Sequence, residues 1–302
     1  MTIEFVKNRK INYTISFVLI ATSIVSLALF GLKPGMDFVG GSLLELNLNK
    51  IAVSSDQIKS VFAQFGINDV IVSAIGDNGL LIRTKEISED QHQQIIKQLT
   101  SQFPGVEESR FESVGPAIGR ELKNKSITGV IFVLLGICLY LTWAFRKVSR
   151  PMSSWKYGVV TLIALLHDVL IPAGIFALLG HLRGIEIDSN FIVALLVVLG
   201  FSVHDTIVVL DRIREKLRLM PGLEFGSIIN QSINETLSRS INTSLTLVLV
   251  LLALLLFGPV SLWNFVLVLL IGTICGTYSS IFIASPLLYD WYRLGQRKQL
   301  KK

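Results

Sequence analysis

Six stretches of this chain, near 13–32, 126–145, 158–180, 190–211, 240–257 and 262–285, are long and apolar enough to cross a bilayer. A span needs about 20 residues, with a range of roughly 17–25. Inside hydrocarbon every backbone N–H and C=O must find its partner within the protein, which leaves only helices or a closed barrel. Unbroken apolar runs of this length predict a polytopic α-helical membrane protein. Composition agrees, with 51% of residues hydrophobic and 17% charged. That charged share is well under the roughly 25% of soluble domains.

A net charge of +6 would suit a nucleic-acid partner if the basic residues formed one face. Instead they cluster beside apolar runs, which is topology information and excludes that class. Lys7, Arg9 and Lys10 precede span 1, and Arg146, Lys147, Arg150 and Lys156 separate spans 2 and 3. Arg212, Arg214, Lys216 and Arg218 follow span 4, and Arg293, Arg297, Lys298, Lys301 and Lys302 form the tail. The intervening loops are poor in such residues: 181–189 carries only Arg183 beside Glu186 and Asp188, and Gly258-Pro259 carries none. The positive-inside rule then predicts a cytosolic N-terminus (1–12), loop (146–157), amphipathic segment (212–239) and tail (286–302). Residues 181–189 are predicted outside. Span 1 with its basic flank also fits a leader cleaved near Ser26-Leu27-Ala28, but its apolar stretch is long for one. Cys138 and Cys275 sit in separate apolar runs, with no disulfide framework or metal spacing.

Residues 33–125 read as a soluble insert on the outer side. Ser42–Leu48 alternates Leu44, Leu46 and Leu48 with polar residues, the period of a half-buried strand. Ser54 and Ser55 cap a helix carrying Ile58, Val61, Phe62 and Phe65, ended by Gly66. Strands over Asp69–Ile75 and Leu80–Ile87 flank the turn Asp77-Asn78-Gly79. Ser88 opens a second helix with Ile95, Ile96 and Leu99 inward, stopped by Pro104-Gly105, and Glu108–Val114 is a final strand. The order βαββαβ predicts a ferredoxin-like domain. His92, near the start of a polar helix face, reads as solvated, and no catalytic grouping accompanies it.

Polar residues within the spans carry the functional argument, because ionisable groups in hydrocarbon mark ion pathways or binding sites. His167-Asp168 lies in span 3 and His204-Asp205 in span 4. Asp168, roughly eleven residues into span 3, falls near the midplane at a rise of about 1.5 Å per residue. Pro172 cannot donate to its carbonyl, which predicts a kink. Asp205 falls on the order of 10 Å from the cytosolic edge by the same rise, beside Ser202, His204 and Thr206. Gly200 is expected to allow close helix approach. Arg239 opens span 5 after a segment with Phe225, Ile228, Ile229, Ile233, Leu237 and Ile241 at helical spacing. That spacing predicts an amphipathic helix along the interface, with Arg239 reaching inward toward an acid. Either the acids are hydrogen-bonded structural groups, or Asp205 and Arg239, with Asp168 and His204, form a proton relay. Adjacent helix residues point about 100° apart, so the His-Asp pairs do not predict a metal site. Asp211, opening Asp211-Arg212-Ile213-Arg214-Glu215, reads as an interfacial structural group. No GxSxG, HExxH or Walker A pattern occurs, so no enzyme chemistry and no cofactor is expected.

These residues resemble the SecF family of bacterial protein-export membrane subunits. The resemblance is carried by Asp37-Phe38-Val39-Gly40-Gly41, Val114-Gly115-Pro116-Ala117-Ile118-Gly119, Ala164-Leu165-Leu166-His167-Asp168, the run Asp205 to Glu215, and Asn234-Glu235-Thr236-Leu237-Ser238-Arg239-Ser240. It implies half of an RND-like assembly in the bacterial inner membrane, with SecD, of the same six-span plan, as obligate partner. It further implies work with the SecYEG channel and YajC on unfolded preprotein, in contact with membrane lipid and driven by the proton gradient. Asp205 and Arg239 match the family's functional acid and arginine, and Asp168 matches a family motif. An RND-like small-molecule or lipid exporter half, or a non-conducting scaffold, are the alternatives.

Overall fold

The computed structural model describes residues 3–49, 51, 53–76, 78–146 and 152–299. Lys147, Arg150, Lys301 and Lys302 of the basic clusters, and Asp77 of the turn, lie outside them. The chain divides into two compact units, one of residues 34–127 and one of residues 1–33 with 128–302.

The smaller unit opens with a short helix α2 (Met36–Val39), following α1 (Arg9–Phe30) of the other unit. Next come β1 (Gly41–Asn47), α3 (Ser55–Gln64), β2 (Ile71–Ile75), β3 (Gly79–Thr84), α4 (Glu89–Gln102) and β4 (Glu107–Val114). The sheet is antiparallel in the order β2-β3-β1-β4, as the βαββαβ pattern requires. Ser54 and Ser88 each close a capping box, with Gln57 and Gln91 respectively, satisfying donors at the starts of α3 and α4. The alternating leucines of β1 face these helices, and Leu44, Leu46, Ile58, Val61, Phe62, Ile82, Ile95 and Leu99 form the core.

His92 is a correction: it is buried, not solvated. Its ring stacks on Phe111 with centroids 3.7 Å apart, and its nitrogens lie 3.3 Å from Glu89 Oε1 and 3.1 Å from Glu108 Oε1. The helical period placed it on a polar face, but β4 brings Phe111 and Glu108 against that face.

Among the described residues, six helical segments are long and apolar enough to cross a membrane. These are α1, α5 (Pro116–Ala144), α6 (Ser154–Arg183), α7 (Ser189–Leu219), α8 (Phe225–Phe257) and a composite last segment. The composite comprises a 3-10 turn (Val260–Leu262), α9 (Trp263–Ser279), a π-helical turn (Ser280–Ala284) and α10 (Ser285–Gln299). Helix α6 passes through Pro172 without a break in assignment. Small residues set the closest approaches between helices. A Cβ on Gly174 of α6 would lie 2.4 Å from Ser23 of α1, whose neighbour Ser26 donates to the Gly174 carbonyl at 2.9 Å. A Cβ on Gly272 or Gly276 of α9 would collide with Val198 or Ser202 of α7. Gly200, expected at a close contact, faces open space within this chain.

The segment from Phe225 feeds into the span as expected, as part of α8, one helix of 33 residues, but its apolar stripe meets protein. Its apolar stripe, Phe225, Ile228, Ile229 and Ile233, is buried with Leu210 and Ile213 of α7, Leu288 of α10 and Phe5 and Val6 of the N-terminal segment. That segment is held by side-chain amides, with Asn234 Oδ1 accepting from Ile3 N and Asn230 Oδ1 from Val6 N, each at 3.0 Å. The protein supplies the apolar cover that the sequence pattern assigned to lipid.

Candidate functional site: two buried carboxylates in the helical bundle

Asp168 on α6 is fully buried. Ser202 Oγ of α7 and Ser279 Oγ of α9 donate to its Oδ2 at 2.5 and 2.7 Å, and His167 Nδ1 lies 2.8 Å from Oδ1. The 100° rule for adjacent helix residues fails at this pair: the His167 ring is buried and turned onto its neighbour, roughly parallel to Tyr278 with centroids 6.2 Å apart. His167 Nε2 has no hydrogen-bond partner among the described residues. Three polar groups around one carboxylate satisfy what hydrocarbon cannot, and none of them is an arginine or lysine.

Asp205 on α7 is also buried, at 7% exposure. Ser240 Oγ of α8 donates to its Oδ1 at 2.6 Å and Ser280 Oγ of the π-turn to its Oδ2 at 2.7 Å. A hydroxyl chain extends from this point: Thr277 donates to Ser244 Oγ at 2.5 Å, and Ser244 donates to the Ser240 carbonyl at 2.8 Å. The Thr206 hydroxyl beside it is buried without a partner among the described residues. Ser279 and Ser280 thus serve two different acids from consecutive positions.

Arg239 and His204 are not part of this cluster. Both side chains are exposed on the surface of the chain, and Arg239 forms no hydrogen bond or ion pair among the described residues. Arg239 continues as an exposed polar stripe with Asn242, Thr243 and Thr246, at the 3- and 4-residue spacing of one helix face. On α7, His204 shares an exposed line with Val193, Val197 and Gly200. Asp211 pairs with Arg214 at 3.3 Å, and Arg212 bridges Glu215 and Glu235. Lys216, 4% exposed, reaches Glu235 Oε1 at 2.6 Å and Gln231 Oε1 at 3.0 Å, which ties α7 to α8 below the acids.

The glycine motifs of the smaller unit do structural work together. Gly40 has φ +88, and a Cβ there would lie 2.7 Å from Pro116 Cα. Gly41 has φ +139, and a Cβ would lie 2.8 Å from the Thr84 carbonyl oxygen. Gly119 brings α5 against the Phe38 backbone, with Gly115 just before Pro116 at the helix start. Phe38 itself is buried, and Asp37 stands in the first turn of α2. Only residues without a side chain let these backbones meet.

Residues 94–294 match the family described as protein export membrane protein SecD/SecF, C-terminal, and residues 25–50 match the SecD/SecF GG motif. The SecF protein translocase subunit of Thermobaculum terrenum is 45% identical over 96% of this chain and 94% of its own length. The chain belongs to the SecF family. The SecF subunit of Anaerolinea thermophila is 40% identical, covering 94% of this chain and 92% of that protein. A crystal structure of SecDF, a translocon-associated membrane protein of Thermus thermophilus, superposes with a TM-score of 0.80 at 32% identity. It covers 97% of this SecF-family chain, which spans 39% of that longer chain. The chain is therefore a multi-pass membrane protein of the Sec pathway. Gly40 and Gly41 fall in the GG segment, and Gly115, Gly119 and both buried acids fall in the SecD/SecF C-terminal segment.

The serines are what sequence reasoning missed. Ser240 stood only at the end of the Asn234–Ser240 motif with no role assigned, and Ser279 and Ser280 carry no motif signal of their own. A readable sign existed in Thr277, Ser279 and Ser280, hydroxyls close together inside an otherwise apolar span.

Proposed function

We propose that this chain acts with a SecD partner to convert the proton gradient across the bacterial inner membrane into late steps of preprotein translocation through SecYEG. Asp205 is the proton-exchanging carboxylate. The observation that carries this reading is its setting: a buried acid held by two neutral hydroxyls, with no cation bonded to it among the described residues. A group so held can pass between charged and protonated forms without breaking an ion pair. Asp168 is a second buried acid, held by two hydroxyls and by His167 Nδ1. The chain performs no covalent chemistry of its own, and both termini face the cytosol.

The exposed stripe of Arg239, Asn242, Thr243 and Thr246 supports an obligate partner. An arginine turned toward lipid at the opening of a span snorkels to the interface, at a cost below about 2.5–3.5 kcal/mol, the value for a helix centre on insertion scales. A partner helix carrying an acid removes that cost. In this reading Arg239 pairs with SecD's acid rather than with Asp205. YajC and the emerging preprotein complete the assembly, the latter meeting the 34–127 unit.

The test is translocation in vesicles with an imposed proton gradient, comparing Asp205→Asn with wild type at matched partner levels. Loss of the gradient-dependent part from an assembled mutant is expected. Wild-type translocation would sink the reading and leave a non-conducting scaffold. Small-molecule efflux without a Sec partner would instead favour an exporter half.

A further inference from the structure

Ser279 and Ser280 stand where the last span changes from α- to π-winding. Each hydroxyl has two acceptors within reach. Ser279 Oγ lies 2.7 Å from Asp168 Oδ2 and 3.1 Å from the Gly276 carbonyl oxygen. Ser280 Oγ lies 2.7 Å from Asp205 Oδ2 and 3.0 Å from the Thr277 carbonyl oxygen. A serine hydroxyl has one proton to donate and two lone pairs to accept with. It donates to the carboxylate while that group is charged. When the carboxylate takes up a proton, the new carboxyl O–H can donate to Oγ, and the serine proton turns to the helix carbonyl. Both protonation states are then satisfied by rotation about one C–O bond, and release of the proton reverses the rotation.

We propose that Ser279 and Ser280 are positioning residues that join Asp168 and Asp205 into one proton-responsive unit. The inference rests on the proton-coupling reading of Asp205. Consecutive residues share one backbone, so a displacement of Ser280 as its contact with Asp205 changes length on protonation is passed to Ser279 and to the donor it presents to Asp168. The turn itself suits this role. Single π-turns inside α-helices recur at functional sites. Here Ser285 Oγ donates to the Ser280 carbonyl at 3.2 Å, so the altered winding leaves that carbonyl paired. Ionisable groups on the packed helices within a few residues of the two acids and their serines include His167 of α6, Arg239 of α8 and Cys275 and Tyr278 of α9, while His204 of α7 is exposed on the chain's surface. None of these touches both acids; the last span does, through two neighbouring residues.

The experiment is isotope-edited infrared difference spectroscopy of the Asp168 and Asp205 carboxyl bands, on the chain in complex with its SecD partner in vesicles. Ser280→Ala removes a neutral hydroxyl that touches Asp205 alone, yet it should shift the Asp168 band as well. Ser279→Ala should do the converse, and Ser280→Thr, which keeps the hydroxyl, should return both bands. Gradient-dependent translocation should fall about tenfold in either alanine variant, as loss of one hydrogen bond to a charged group predicts. If each alanine moves only the band of the acid it touches, the link is overturned. Wild-type gradient-driven translocation in both alanine variants overturns it too. Asp205→Asn, run alongside, separates the two ideas: if it translocates like wild type, the proton-coupling reading has failed rather than the serine link. Should an alanine variant not assemble, Ser279→Cys and Ser280→Cys, near-isosteric weaker donors, carry the same band test.

Discussion

At the residue scale, His92 is polar in sequence but structural in the fold. His92 fills space between α4 and β4, and its two nitrogens sit against glutamates. His92→Ala should lower the stability of the 34–127 unit by about 1–3 kcal/mol, the usual cost of emptying a packed, hydrogen-bonded position. Thermal unfolding checks this. Glu89 beside it is held below the ordinary carboxylate range by its hydrogen bond from Gln93, with His92 adding to the effect. Its folded value lies below its unfolded one, so its stabilising contribution is present above the ordinary carboxylate range. That contribution is lost as pH falls through the lowered folded value. An NMR titration of the Glu89 side chain should show the lowered midpoint, and Gln93→Ala should move it back up. Gly40 is the opposite kind of residue, required for what it lacks. Gly40→Ala forces a Cβ to 2.7 Å from Pro116 at φ +88, and should destabilise the same unit by about 1–3 kcal/mol.

At the element scale, the last span decides the site. Its glycines at 272 and 276 draw α9 onto α7, and the junction of α9 with the π-turn places two consecutive serines on acids of different helices. Inserting one alanine between Leu287 and Leu288 of α10, where the winding is already α, should rotate everything beyond by about 100°. The Arg9–Asp290 pair at 2.9 Å and the Tyr13–Asp290 hydrogen bond at 3.1 Å should then be lost. The expected outcome is a chain that inserts but fails to accumulate, read by blotting of membrane fractions. Substituting Phe282→Leu, which keeps the residue number, should leave accumulation near wild type. No periodicity in the sequence marks this turn, because residues 262–285 are apolar nearly all round and fit either winding.

At the scale of the whole molecule, one fact dominates: polar and titratable groups lie on outward faces of α7 and α8 within the spans. A complete transporter would bury Arg239 and His204; this chain leaves them exposed. Gly200 lies on the same open line of α7, with room for a side chain. Gly200→Trp should leave this chain's own fold intact while lowering the yield of partner-bound complex at least severalfold, measured by cross-linking and native gel. If complex yield is unchanged, the face bearing Gly200 is not where the partner packs.

The sequence by itself determined the six spans, the order of strands and helices in the inserted unit, and which acids lie inside the membrane. Those follow from hydropathy, period and capping chemistry, all local properties of the chain. It could not decide which groups the acids meet. Asp168, Asp205, Ser202, Ser240, Ser279 and Ser280 come from α6, α7, α8 and the last span, and only the packing of four helices brings them within 2.5–2.7 Å. The same packing turned Arg239 away from Asp205 and buried the apolar face of α8, while β4 packed on α4 buried His92. Side-chain pairing across helices depends on rotation and winding, to which hydropathy is blind.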